Sequence, residues 1–566
     1  MGICISLAIS KSVTKEEWWQ VYEESLKMVK AFPFAEKRKI NLDGIDVFCL
    51  VKSEEREEAY GWNNDIQIGW ETVGDYNYLH TAEDYYLPRN LVEEKEYLEQ
   101  CEDALYGVLP AYLNYSWEDE RFDITYGLWG AKTQGEPYHM YLLAVACMIE
   151  SRLGNKAFIY GDITKGQCVK AVEMANEILE NPINIPARCD AERLLERVNT
   201  LPITDKEKIK VFETFFLGNK DAEFGRMFRK TFEEGTLNEY WKDRFGYYNV
   251  TQVGFQKVFR NYLLWGFDFD LICDFVKFED NEGKTLYEEF VKKVMDAKLH
   301  IKEKDCSDPL DIDQNESRPY SVDTLFAQFL FSGLKNRKID RYIPIEDIRA
   351  SLLKQLGDKC DVNGIIDEYL EKESAQKEID LSKVSSQEEY SESVEQDSSE
   401  VFKQYINMKK DILQTEMETF DISEYEDLMF YVSGDSIHPG IMRNLGSYYA
   451  FYASIINEDH YQSLMNKESI KRCEFLVKQN RRILIRDKDW KKIFDDIKNN
   501  EDSFSRYYPM VRVGVNSDGV AQIVKGIVLN DELYKICPDL AEKYGNNGEK
   551  DSKDNEGGKV KTVKVK

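Results

Sequence analysis

Residues 138–152 read YHMYLLAVACMIESR. Apart from His139, no charged or amide side chain interrupts this run before Glu150. A helix that is apolar on every side has no face to offer water. The stretch therefore predicts a central helix buried inside a mainly helical protein, with Cys147 acting as a small hydrophobe within it.

Working outward from that helix, Ala157–Tyr160 reads as a short strand or extended link. Asp162 or Thr164 then opens a helix that runs to Leu179 and stops before Asn181-Pro182. Asp190 caps the next helix, and Thr204 with Glu207 forms a capping box, in which each side chain serves the other's backbone N–H. Helical spacing continues over 205–217, 221–234, 251–263 and 284–299. An acidic, Pro-containing connector (Asp305–Pro319) leads to more helix at 321–334 and 345–356.

On the N-terminal side, residues 1–125 read as mixed α and β. Ile3–Ile9 has strand character. Thr14 and Glu17 make a second capping box ahead of Trp18, Val21, Tyr22, Leu26, Val29 and Phe32, which recur at helical spacing. Asn41-Leu-Asp-Gly-Ile supplies a turn before a strand at Asp46–Val51, and a helical period returns from Glu94 to Tyr112. Near the other end, PMVRVGV-NSDG-VAQIVKGIVL reads as a β-hairpin turning at Asn516–Gly519.

The expected fold class is thus mainly α, a helical bundle or irregular helical array, with a smaller α/β N-terminal section and a short β-hairpin near the C-terminus. At 566 residues the chain suits roughly two to four domains. The expected organisation is a mixed section over 1–125, a helical domain over 126–370, a Ser- and Glu-rich linker over 371–400, a mainly helical domain over 401–545, and a disordered tail over 546–566. The linker reading rests on its scarcity of apolar side chains, which leaves little burial to offset the entropy of ordering.

The formal net charge is −29. Such a chain repels phosphate backbones and anionic membrane surfaces, so nucleic acid is an unlikely partner and a membrane none. It favours encounter with a basic partner. The eleven cysteines are odd in number and widely spaced, without a CxxC pair, which points to reduced thiols and a cytoplasmic location. The longest apolar run is about half a membrane span. Met1-Gly2 with Ser6 fits only the permissive acylation pattern, which on its own carries no anchor.

Most catalytic signatures fail on inspection. Gly161–Gly166 lies between a strand and a helix as a phosphate loop would, but Gln167 and Cys168 stand where that loop needs Lys and Ser or Thr. Asp361-Val-Asn363-Gly364 lacks the first and last carboxylates of a calcium loop, and Asp308, Asp311, Asp313 and Glu316 read as a solvated acidic loop. His80 with Glu83 and Asp84 is at most a fragment of a metal site across one helical turn. Lys467–Arg486 is a basic stretch that can pair with acids of the same chain. The most suggestive patch is Lys132–His139, where a Gly- and Pro-containing turn brings Glu136 and His139 to the mouth of the central helix. Asp162 begins another helix nearby, so Glu136, His139 and Asp162 are the candidate catalytic residues. The same turn also reads as an ordinary helix start, with Pro137 at the first position. No cofactor and no metal ligand set is expected.

Two function classes remain. One is an acidic protein-binding protein (inhibitor, immunity-type or regulatory) acting on a basic protein partner. The other is a hydrolase or transferase without a familiar motif, using an acid–base group near Glu136 and His139.

Overall fold

The computed structural model describes residues 2–60, 66–91, 101–116, 118–119, 123–280, 282–304, 306, 312–320, 322, 324–325, 339–383, 425, 427–456, 459–480, 483–512 and 518–544. It is mainly helical, with its strands near the N-terminus: β1 (Ile5–Ser10), β2 (Phe34–Leu42), β3 (Ile45–Lys52), β4 (Arg56–Tyr60), β5 (Ile66–Asp75), β6 (His80–Pro88), β7 (Thr125–Trp129) and β8 (Ala157–Gly161). The chain forms two compact units, each discontinuous in sequence. The first takes Met1–Phe32, Glu54–Trp70 and Ala82–Ser399, and the second takes Pro33–Ser53, Glu71–Thr81 and Glu400–Lys566.

In the first unit, β1 is the middle strand of an antiparallel sheet ordered β7–β1–β8. All six of its residues are buried. This is why ISLAIS shows little alternation: both faces of the strand are covered. The helix Tyr138–Leu153 packs on β1 and β8 and against the helices Lys15–Ala31 and Lys165–Asn176, and thirteen of its sixteen residues are buried. Glu150, the one buried carboxylate in that helix, accepts backbone N–H groups from Ile159 and Ala187, both at 2.9 Å. A buried charge is tolerated when it is hydrogen-bonded in this way, and here it ties β8 and the turn Ala187–Cys189 to the central helix.

Further along, the helices Ala191–Asn199, Asp205–Phe215, Ala222–Thr231, Glu234–Gly246, Val253–Leu264, Tyr287–Asp296 and Ile345–Leu356 enclose a core dominated by rings. Phe228 stacks on Trp265 with centroids 5.4 Å apart, and Trp241 meets Trp265 edge-on at 5.1 Å. The capping boxes at Thr14/Glu17, Thr164/Gln167 and Thr204/Glu207 are all formed, so the helix starts follow local chemistry. Behind them, Arg197 forms a buried two-pronged ion pair with Asp103 and also donates to the carbonyls of Asn155 and Ala157.

The second unit begins with the hairpin β2–β3, paired from Ala35↔Lys52 to Leu42↔Ile45. Its two-residue turn, Asp43-Gly44, has positive φ at both positions (51° and 84°), the geometry that matches strand twist and that Asp-Gly readily adopts. Val47, Cys49 and Val51 pack with Trp490, Ile493, Phe494 and Tyr508 in one core cluster, to which the helices Ser469–Gln479, Asp487–Asn499 and Asp518–Leu529 contribute. A second cluster joins Ile441 and Leu445 of the helix Pro439–Ile455 to Leu533 and Cys537 of the helix Asp531–Tyr544.

The expected C-terminal hairpin is corrected. Pro509–Arg512 and Asp518–Leu529 are helical, and residues 513–517, with half of the supposed turn, lie outside the described residues. The β-branched residues that suggested strands also satisfy a helical period. Val524 and Val528 enter one core cluster while Ile523 and Ile527 enter the other. Burial on two sides outweighs the modest β preference of Val and Ile.

The helix Val362–Lys383 runs into the Ser- and Glu-rich segment, whose first residues include the good helix formers Glu, Lys, Ala and Gln. Residues 384–400, the tail from 545, residues 94–100 of the helix expected over 94–112, and most of the helix expected over 321–334 lie outside the described residues.

Candidate functional site

The turn that precedes the central helix is fixed to the start of β1. Thr133 N and Gln134 N both donate to the Ile3 carbonyl, at 2.8 and 3.1 Å, and Gln134 and Gly135 take positive φ. Glu136 sits half-buried in this turn, its N–H donating to Thr133 O and its carbonyl accepting from His139 N. His139 is 0% exposed, and its Nδ1 lies 2.7 Å from Thr133 Oγ1. The Thr133 hydroxyl also donates to the Ile3 carbonyl, at 3.3 Å. The other ring nitrogen, Nε2, has no hydrogen-bond partner among the described residues. Burial pulls the imidazolium down to about 4; the nearby Gln167 side chain opposes this weakly and makes no sound hydrogen bond to the ring.

Asp162 approaches the next residue along. Its Oδ2 accepts from Cys4 N at 3.0 Å and from Cys4 Sγ at 3.1 Å, and its own N–H donates to Cys4 O at 2.9 Å. Burial, with the Asp162 carboxylate beside it, pushes the Cys4 thiol up to about 11, so it stands as a protonated donor and not as a thiolate nucleophile. The fold therefore brings His139 and Asp162 to adjacent residues, Ile3 and Cys4. Each is held by a different group: His139 by Thr133, and Asp162 by Cys4.

The Gly161–Gly166 loop is filled by its own chain. Gly166 N, Thr164 Oγ1 and Gln167 Nε2 donate to the carbonyls of Gln314, Glu316 and Arg318 at 2.7, 2.7 and 2.9 Å. Those donors are the ones a phosphate would take at a helix N-terminus, so the segment 314–318 stands where such a ligand would sit.

The remaining sequence candidates have structural roles. His80, Glu83 and Asp84 lie on β6, where i and i+3 point to opposite faces, so the one-turn helical arrangement is corrected. Asp361 Oδ1 accepts from Gly364 N, capping a helix. Lys471 and Lys478 both pair with Glu474, and Arg472 is buried on the carbonyls of Met465 and Lys467. Arg481, Arg482, Asp308 and Asp311 lie outside the described residues. Among the described residues, no group of three His, Cys, Asp or Glu could hold a metal ion. No described helix is long and apolar enough to cross a membrane.

A different feature stands out in the second unit. After the 3-10 turn Asp427–Phe430 the chain exposes Phe430 (43%) and Val432 (62%), with the Phe430 ring edge-on to Tyr78 at 5.1 Å. The loop is held from beneath by Asn530, only 8% exposed. Its Nδ2 donates to the carbonyls of Leu428, Met429 and Tyr431, while its Oδ1 accepts from Glu532 N and Leu533 N. Val432 N closes the tip onto Asp435 Oδ2 at 2.9 Å. Residues 411–442 contain eight Asp or Glu and no Lys or Arg.

No protein-family model, curated protein or solved structure matches the chain.

Proposed function

We propose that the protein acts by binding a basic protein partner, as an inhibitor, immunity-type or regulatory factor in the cytoplasm. The observation that carries this reading is the Phe430–Val432 tip: apolar, exposed, braced by Asn530 and set in a stretch of sequence, 411–442, with eight Asp or Glu and no Lys or Arg. Aromatic anchors on pre-ordered backbone lose little entropy on docking. The acidic sequence flanking the tip favours a partner rich in Lys and Arg and speeds its approach. The net charge of −29 acts in the same direction. Eleven free cysteines suit a reducing compartment. Catalysis by Glu136, His139 and Asp162 has weaker support, because His139 is enclosed on all sides.

The test is affinity capture by the full-length tagged protein from its host lysate, at low and moderate salt, in parallel with Phe430→Ala and Val432→Asp. Phe48→Ala, a still more exposed ring elsewhere (61%), serves as control. The expected result is a basic protein that leaves as salt rises, is lost from the first two variants and is kept by the control. Capture that ignores the Phe430 and Val432 substitutions, or a partner that is itself acidic, overturns the proposal.

A further inference from the structure

The first unit contains a cavity of about 440 Å³ beside the helices Asp205–Phe215 and Glu234–Gly246, lined by Lys206, Lys210, Arg244, Tyr240, Tyr247 and Tyr248 among others. Its size falls within the range of small-molecule sites. Its charges are unusual for so acidic a chain. Lys206 is paired with Asp243 at 2.5 Å, and Glu207 is held by Tyr115 and Thr204. Lys210, however, is half-buried and its ammonium makes no hydrogen bond or ion pair among the described residues. Among the described residues, the Arg244 fork is engaged through Nη2, with Glu213 Oε1 at 2.8 Å, while its Nε is fully enclosed and has no partner there. Glu213 is in turn taken by the Tyr240 hydroxyl. Among the described residues, the Lys210 ammonium and the Nη1 of Arg244 are thus the cationic donors left to the cavity, with Glu213 and Glu207 near enough to act on Lys210 through their charge.

The rim is aromatic. Tyr247 is 75% exposed and Tyr248 39%, and their rings lie 6.5 Å apart. Exposed tyrosine rings beside cations form a stacking platform for a flat heterocycle, and carboxylates and an amide on the wall (Glu207, Asp243, Asn114) can accept from or donate to sugar hydroxyls.

We infer that this cavity binds a nucleoside monophosphate or a close relative, with the phosphate on Lys210 and Arg244 and the base against Tyr247. Arg and Lys in one site suit this ligand, the guanidinium by directional hydrogen bonds and the ammonium as a point charge. Burial and the Arg244 charge beside it also pull the Lys210 ammonium below the usual lysine range, which an entering phosphate dianion would reverse. The inference is independent of the partner-binding loop, which lies in the other unit.

Titration calorimetry of the full chain with the four common nucleoside monophosphates, the matching nucleosides and inorganic phosphate tests it. At least one nucleotide should bind, with the nucleoside and inorganic phosphate each weaker by about tenfold or more, since each lacks one half of the recognition. Lys210→Met and Tyr247→Ala, both at water-accessible positions, should each weaken binding by about tenfold, or roughly 1.4 kcal/mol, with unchanged circular dichroism. Lys210→Arg should retain most of it, and Phe430→Ala should leave it untouched. Absence of binding by every nucleotide at millimolar concentration overturns the inference. So does binding that survives Lys210→Met, or nucleotide and inorganic phosphate binding equally well.

Discussion

The Nδ2 of Asn530 lies 2.8 Å from the Tyr431 carbonyl, across ninety-nine residues of sequence. One buried amide thus holds the exposed Phe430–Val432 tip and caps the helix Asp531–Tyr544. Asn530→Leu keeps the bulk but removes both functions. It should destabilise the second unit by about 2–4 kcal/mol, combining a lost cap with newly unpaired carbonyls. Asn530→Asp keeps the acceptor, so the helix start should persist while the loop loosens. Hydrogen exchange read by mass spectrometry over 427–435 and 531–535 separates the two outcomes: faster exchange confined to the first window is expected for the aspartate.

The buried Arg197–Asp103 pair is a second sensitive point. Each partner is under a tenth exposed, so Arg197→Met leaves Asp103 charged and uncompensated in the interior. A loss of about 3–5 kcal/mol is expected in urea unfolding. The double variant Asp103→Leu with Arg197→Met should lose less than the sum of the single changes, because no orphaned charge remains.

His139 gives a pH dependence with a definite sign. Its folded-state value, about 4, is depressed from 6.5, so between these values the unfolded chain binds more protons. Stability then rises with pH across that window and is lost as pH falls from about 6.5 towards 4, by up to roughly 3 kcal/mol for this one group. Unfolding midpoints measured from pH 4 to 7.5 should show this slope, and His139→Gln should flatten it. A slope unchanged in the variant would assign the dependence to other groups.

Two glycines of the helical array should respond in opposite directions. A Cβ on Gly225 would lie 1.8 Å from the Trp265 carbonyl oxygen, so Gly225→Ala forces apart the helix Ala222–Thr231 and the ring core, at about 1–3 kcal/mol or more. Gly235, in the helix Glu234–Gly246, has nothing within 4 Å, and Gly235→Ala should stabilise by about 0.5–1 kcal/mol. Thermal melts of the pair test the packing directly.

Signals confined to a few neighbouring residues were legible in the sequence. Thr14 with Glu17 and Thr204 with Glu207 mark helix starts because each box is closed by two side chains three residues apart. Asp43-Gly44 marks a turn because its backbone needs positive φ. YHMYLLAVACMI marks a buried helix because no side of it can face water. The hairpin expected over 509–529 shows where such reasoning stops. Valine and isoleucine at 520–528 carry both strand preference and a helical period, and only the two clusters receiving Ile523/Ile527 and Val524/Val528 decide between them.

The sites follow the same division. Residue types alone drew attention to Glu136, His139 and Asp162, but the enclosure of His139 and the engagement of Asp162 by Cys4 depend on how β1 passes the turn before the central helix. Lys210 and Arg244 gave no sequence signal. A lysine in an amphipathic helix resembles any solvated lysine until the neighbouring helix is placed, and its missing partner is a property of that placement.

By itself, the sequence determined the helical character, the helix starts, the tight turn and the acidic field, since each depends on interactions along a few residues or on total charge. Tertiary structure alone decided which segments share a core, placing Val47 and Cys49 beside Trp490, and which buried polar groups find partners. Those outcomes depend on contacts between residues hundreds of positions apart, and no local pattern encodes them.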